Sequence, residues 1–200
     1  MIGILGISAN PPHIGHDLII SNIMTSGIFD EFILILSGNR NDKKYVSPYD
    51  RINMSELAFR KFREKKFDYI KTKFFIRYDN VYSDNTPSII LLRQLKEEFQ
   101  QTDIKFIIGS DLIFEKNGKC EIESSWFDGE QLMEEFNFLV IQRNDYPINR
   151  KLSSNFEIYD KIFANISSTK IRENIKENIE IEDLVIPSVA EYINKYNLYK

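Results

Sequence analysis

Two hundred residues, 42% hydrophobic and 28% charged with a net charge of −4, suit one globular domain with a buried core and show no basic excess for a nucleic-acid or membrane partner. The single cysteine, Cys120, excludes an intrachain disulfide and a thiolate metal cage, in keeping with a reducing compartment. No run reaches the roughly 20 apolar residues of a membrane span, and MIGILGISANPP lacks a basic leader, so the expectation is a cytoplasmic protein.

In chain order, IGILGI (2–7) reads as a buried strand, and HDLIISNIMTSG (16–27) has helical spacing and closes on Gly27, a C-cap candidate. EFILILS (31–37) is a second strand, and PYDRINMSELAFRKF (48–62) a helix with Pro48 in its first turn. YIKTKFFIR (69–77) alternates and predicts a less buried strand, followed by a helix over 87–99 and a strand over 104–111. The polar EKNGKCEIESS (115–125) is the expected disordered insert. Two more strands are expected, NFLVIQR (137–143) and FEIYDKIFA (156–164), then a helix–turn–helix tail from Thr169 with Pro187 opening its last segment. Alternation of apolar strands with amphipathic helices predicts an α/β fold, a parallel sheet covered on both faces. Ligands of such sheets bind beyond the carboxyl ends of the strands, and the candidate polar positions cluster there, at 8–16, 38–47, 109–111 and 143.

Neither G-x-G-x-x-G nor a P-loop follows the first strand, so any phosphate must be held otherwise. GISANPPHIGHD (6–17) contains both histidines of the chain, His13 and His16. Gly6 and Ser8 permit close backbone approach, and an i, i+3 histidine pair at a helix N-terminus can reach one anion. The competing reading is one histidine as cap and the other as packing. Far downstream, NISSTKIRENI (165–175) offers Ser167 or Ser168 as an N-cap, with Lys170 and Arg172 in the first turn. Cations oppose the dipole there, unless an external polyanion neutralises them.

GISANPPHIGH (6–16) resembles the first signature of the nucleotidylyltransferase superfamily, and ISSTKIR (166–172) its second. Within it the chain resembles the nicotinate/nicotinamide mononucleotide adenylyltransferases. That likeness extends through KKYVSPYDRINMSELA (43–58), FIIGSD (106–111), SSWF (124–127) and FLVIQR (138–143). It implies a Rossmann-like, doubly wound parallel sheet in a single nucleotidylyltransferase domain over 1–200, with the helical part from about 165 completing the ATP site. It also implies transfer of adenylate from ATP to nicotinate or nicotinamide mononucleotide, giving the dinucleotide and pyrophosphate. His13, His16, Lys44 and Arg172 would be the catalytic set. Gly6, Ser8, His13, His16, Gly109, Asp111, Ser168, Thr169 and Arg172 would bind ATP. Asn10, Lys43, Lys44, Ser88, Trp126 and Arg143 would bind the mononucleotide, Trp126 by stacking on the pyridine ring. Trp126 as a plain core aromatic, and Arg51 and Arg143 as structural ion pairs, are the competing readings.

Mg²⁺ is expected with ATP, held by phosphate oxygens and water, with no protein metal cage. Partners would be the two nucleotides, and a homo-oligomer is compatible with the sequence. Two departures stand out. Ala9 replaces the family's usual aromatic, and NTPSIILLRQL (85–95) keeps only Thr86 or Ser88 of a T-x-x-T-L segment. The alternatives are a nucleotidylyltransferase for phosphopantetheine or glycerol phosphate, and a non-catalytic nucleotide-sensing module.

Overall fold

The computed structural model describes residues 1–39, 44–64, 70–100, 102–163 and 166–200, with backbone only over 160–163. Six strands form one parallel sheet: β1 (Ile2–Ile7), β2 (Glu31–Leu36), β3 (Lys73–Arg77), β4 (Ile104–Gly109), β5 (Asn137–Arg143) and β6 (Phe156–Phe163). Their order is β3-β2-β1-β4-β5-β6, so the chain winds outward to one edge, returns to the centre, and winds to the other. That reversal leaves a topological switch point beyond the carboxyl ends of β1 and β4.

Period-2 alternation distributes the core between the two faces. On one face Leu5, Ile7, Phe32, Leu34 and Leu36 meet α1 (Ile14–Ser26), α2 (Pro48–Arg63), α6 (Ser168–Lys176) and α7 (Pro187–Lys195). On the other, Ile2, Ile4, Ile33, Ile35, Phe106 and Ile108 meet α3 (Ser88–Glu98), α4 (Glu121–Ser125) and α5 (Gly129–Glu135). Gly27 ends α1 with φ +72, the left-handed cap expected of it, and Pro48 opens α2 behind the N-cap Ser47. The third strand is shorter than its sequence pattern suggested. It occupies the edge of the sheet, which is why its side chains alternate between exposed and buried.

The segment 115–125, expected to be disordered, is ordered. Cys120 and Ile122 are buried in the α3-side core, and Glu121–Ser125 forms α4. Its polar side chains find partners remote in sequence. Arg150 makes a bidentate pair with Glu123 at 2.7 and 2.8 Å, and Glu123 also accepts the Cys120 N–H at 2.7 Å. Asn149 brackets Glu115 through both its backbone groups. Composition marked the segment as polar, but disorder requires polar groups without partners, and here the 144–155 loop supplies them.

Candidate active site

A cavity of about 530 Å³ opens at the switch point. Gly6, Ser8, His16, Ser88, Gly109, Asp111 and Trp126 lie on its wall, so one space gathers expected residues from four separate segments. Gly6 creates part of that space. Ile2 and Ile4 fix the α3-facing side of β1, and alternation puts position 6 on the same side, where a Cβ would meet nothing within 4 Å. Gly109 works by contrast through contact, since a Cβ there would sit 2.2 Å from Asp111 Oδ1. On the far wall Thr86, Pro87 and Ser88 bring the start of α3 to the cavity. Pro87 is the N-cap and supplies no side-chain acceptor, so the first-turn amides are left for an anion.

His13 is the N-cap of α1 and His16 lies in its first turn, their rings stacked at 3.7 Å between centroids. The His13 backbone N–H donates to His16 Nδ1 at 3.3 Å, so the ring proton of neutral His16 belongs on Nε2. Burial, then the charge of Arg143, lowers the His16 pKa to about 4. Burial pushes His13 further down, with His16 and Arg143 adding to it. Both imidazoles are therefore neutral near pH 7 before any anion arrives. Only His16 reaches the cavity wall, whereas His13 is 6% exposed and its Nδ1 is buried without a hydrogen-bond partner among the described residues. Gly15 makes room for that ring, because a Cβ there would approach His13 Nδ1 to 3.0 Å.

The downstream motif is bonded directly to the loop after β1. Ser167 caps α6 by accepting from the Lys170 N–H. Ser168 Oγ then donates to the Pro11 carbonyl at 2.9 Å, and Arg172 Nη1 to the Asn10 carbonyl at 2.8 Å. Arg172 Nη2 also contacts Thr169 Oγ1 at 3.2 Å. These bonds join the two motifs directly, and Ser168, Thr169 and Arg172 lie outside the cavity wall itself.

Other expected residues take different positions. The Asn10 side chain, 1% exposed, is committed within the protein, donating to the Lys44 carbonyl at 3.0 Å and accepting the Val46 N–H at 3.3 Å. Lys44 is exposed on that same segment, and Lys43 lies outside the described residues. Arg143 pairs with Asp111 at 3.1 Å, so the carboxylate expected to receive a ribose is shared with a cation. Arg51 differs from the ion pair considered for it. Fully buried, it donates to the carbonyls of Ser8 and Ser37, ties the ends of β1 and β2 together, and packs its guanidinium over the Tyr45 ring at 4.6 Å.

Trp126, half-buried at the C-cap of α4, touches Phe106 from the core and faces the cavity with Phe127. Ala9 is fully buried with φ +47, a left-handed conformation costly for a residue with a Cβ. Ser110 carries no motif signal in the sequence. Its buried hydroxyl donates to the Tyr146 carbonyl at 2.7 Å and accepts the Arg143 N–H at 2.9 Å, fixing the strand end that carries Arg143. Asn80 and Asn85, also on the wall, gave no signal beyond loop composition.

A family model for cytidylyltransferase-like proteins matches residues 4–174. A probable nicotinate-nucleotide adenylyltransferase of Flavobacterium johnsoniae is 30% identical over 207 residues, covering 100% of this chain and 98% of its own. Another, from Clostridium perfringens strain 13, is 28% identical over 209 residues with the same coverage. Among solved structures, the Plasmodium falciparum nicotinic acid mononucleotide adenylyltransferase complexed with NaAD matches with a TM-score of 0.81 and 29% identity, over 99% of this chain and 96% of that one. The same enzyme complexed with APC matches with a TM-score of 0.78 and 27% identity, over 99% and 96%.

Proposed function

This chain belongs to the cytidylyltransferase-like family and, within it, to the nicotinate-nucleotide adenylyltransferases, and on that premise we propose that its substrates are ATP and nicotinate mononucleotide. The products are the deamido dinucleotide and pyrophosphate. The observation that carries the reading is the junction of the two motifs, Ser168 and Arg172 bonded to the Pro11 and Asn10 carbonyls, beside a cavity walled by His16 and Trp126.

In this mechanism the 5′-phosphate of the mononucleotide attacks the α-phosphorus of ATP in line, forming the new P–O bond as the bond to the β-phosphate breaks. A phosphate monoester has a second pKa of about 6, so the nucleophile is already largely dianionic and needs no general base. The protein's task is to place two anions together and to stabilise charge on the α-phosphoryl oxygens. His16 Nε2–H donates to those oxygens. The approaching anion raises the pKa of a ring that burial had kept neutral, which strengthens the interaction as charge develops. His13 stacks behind it and holds its orientation.

Ser168, Thr169 and Arg172 hold the β- and γ-phosphates, and Lys44 reaches the phosphates from the opposite loop. Gly109 and Asp111 hold the adenosine side, with Arg143 keeping the carboxylate in place. ATP enters as its magnesium complex, the ion held by phosphate oxygens and water.

Trp126 stacks on the pyridine ring. The open amides at the start of α3 favour a carboxylate over a neutral carboxamide, which selects nicotinate. A pyridine ring also makes use of Trp126 in a way that phosphopantetheine or glycerol phosphate would not. The test is steady-state pyrophosphate release with ATP and each mononucleotide in parallel. Nicotinate mononucleotide should be favoured by tenfold or more in kcat/KM, about the effect of one charge at a helix terminus plus a hydrogen bond. Preference for nicotinamide mononucleotide would refute the selection by α3, and release with neither acceptor would refute the activity.

A further inference from the structure

Beyond α7 the chain reverses direction. Asn197 and Tyr199 are both left-handed, with φ +51 and +68, and the Leu198 N–H returns to the Ile193 carbonyl at 3.1 Å. The reversal turns Leu198 and Tyr199 back onto the core shared by α1, α2, α6 and α7. The Tyr199 hydroxyl ends 3.1 Å from Asn10 Oδ1, a contact spanning 189 positions of sequence. Its other polar neighbour is the Met54 sulfur at 4.0 Å, a weak acceptor, so its proton goes to Asn10.

Asn10 is thereby a junction of four segments. Its side-chain amide donates to the Lys44 carbonyl, its Oδ1 accepts from Val46 N–H and Tyr199 O–H, and its backbone carbonyl accepts from Arg172. The loop that carries the histidines, the loop that carries Lys44, the helix that carries Arg172 and the segment after α7 meet at one buried residue. None of these bonds touches the cavity wall. Their effect is on the relative placement of three groups assigned to the same triphosphate.

We propose that Tyr199 is a positioning residue for adenylyl transfer: its hydroxyl holds the Asn10 amide in the one orientation that registers the Lys44 loop and the histidine loop against α6. This rests on the activity argued under Proposed function. Of the two bonds to Asn10 Oδ1, the one from Tyr199 is the shorter, 3.1 against 3.3 Å. Without it, a buried oxygen keeps a single long bond, and the amide is held only by that bond and by its own donation to the Lys44 carbonyl. Burial raises the hydroxyl's pKa, in spite of the opposing charges of Arg172 and Arg51, so it remains a donor throughout the pH range in which the enzyme works. Asp50 adds to that rise.

The experiment removes one oxygen atom. Tyr199→Phe leaves the ring packed on the core, so the fold is retained and the thermal midpoint should move by no more than about 3 °C, the scale of one hydrogen bond in a chain of this size. Pyrophosphate release should fall about tenfold in kcat, with KM for both nucleotides within about twofold, because the bases bind elsewhere. The Val46 amide should exchange with deuterated water about tenfold faster, since it depends on the same oxygen. In an Asn10→Ala background, the Tyr199→Phe substitution should cause no further loss.

A kcat within twofold of the parent enzyme overturns the proposal. So does a loss of equal size in the Asn10→Ala background, which would mean that the hydroxyl acts through a group other than Asn10. Should the parent chain release no pyrophosphate with either mononucleotide, the proposed activity fails instead. Val46 exchange then still decides whether Tyr199 governs the loop, and an unchanged rate in Tyr199→Phe overturns that part as well.

Discussion

Replacing Gly6 by alanine sets stability against activity in a way that follows from its place on β1. Position 6 lies on the α3-facing side of the central strand, and a Cβ there meets no atom within 4 Å. Its φ is not in the left-handed region, where only Gly27 and Gly118 are found among the described glycines. The fold therefore gains from the change. Alanine loses less conformational freedom than glycine in a strand, worth about 0.5–1 kcal/mol. In a chain of 200 residues this should raise the thermal midpoint by about 1–4 °C.

The methyl group would enter the cavity that His16 and Trp126 also line, where the proposed mechanism brings the reacting phosphates against the backbone. A displacement of about 1 Å from in-line geometry costs on the order of 100-fold. Gly6→Ala should therefore be slightly more stable and about 100-fold poorer in kcat/KM, and Gly6→Val poorer still. Scanning calorimetry paired with pyrophosphate-release kinetics reads both effects on one preparation. Gly27→Ala is the control. Position 27 also has open space but a φ of +72, so it should lose stability and keep its activity. The reasoning fails if Gly6→Ala keeps kcat/KM within threefold of the parent, or if its midpoint falls.

His16→Ala should lower kcat by about 10²–10³, the loss of one transition-state donor, and near-normal turnover would remove His16 from the mechanism. Trp126→Ala should raise KM for the mononucleotide by about 5- to 150-fold, from the 1–3 kcal/mol of an aromatic stack on a base, while KM for ATP stays within twofold. Equal losses for the two substrates would make Trp126 a packing residue. Arg150→Ala, which frees α4 by breaking the pair with Glu123, should move the mononucleotide KM in the same direction, as steady-state titration would show. Stability should fall on acidification in two stages. Unfolded histidines protonate near 6.5 while His16 in the fold resists until about 4, so the unfolded state binds more protons between those values and the midpoint drops from about pH 6.5 downward. Glu123, held down to about 2 chiefly by Arg150, supplies stability above its ordinary carboxylate range and loses it between about pH 5 and 2. A midpoint that is flat from pH 7 to pH 5 would contradict neutral buried histidines.

Local chemistry makes much of this molecule legible in its sequence. Continuous apolar strands alternating with amphipathic helices can bury themselves only as a parallel sheet covered on both faces. Gly27, Pro48 and Ser167 mark helix ends through their own backbone preferences. Two histidines at one helix entry and two cations at another could be read as anion-binding ends, against the competing reading of ordinary capped helices. Tertiary structure decided what depends on partners remote in sequence. Segment 115–125 is ordered because Arg150 and Asn149 satisfy its polar groups. Asn10 serves as a junction because Lys44, Val46, Arg172 and Tyr199 converge on it, and Arg51 binds carbonyls because β1 and β2 end side by side. Of the two histidines, which one faces the cavity depends on stacking and burial that spacing along a helix does not encode. A hydrogen bond is satisfied by whatever atom the fold brings within 3 Å, and where that atom lies in the sequence is free to vary.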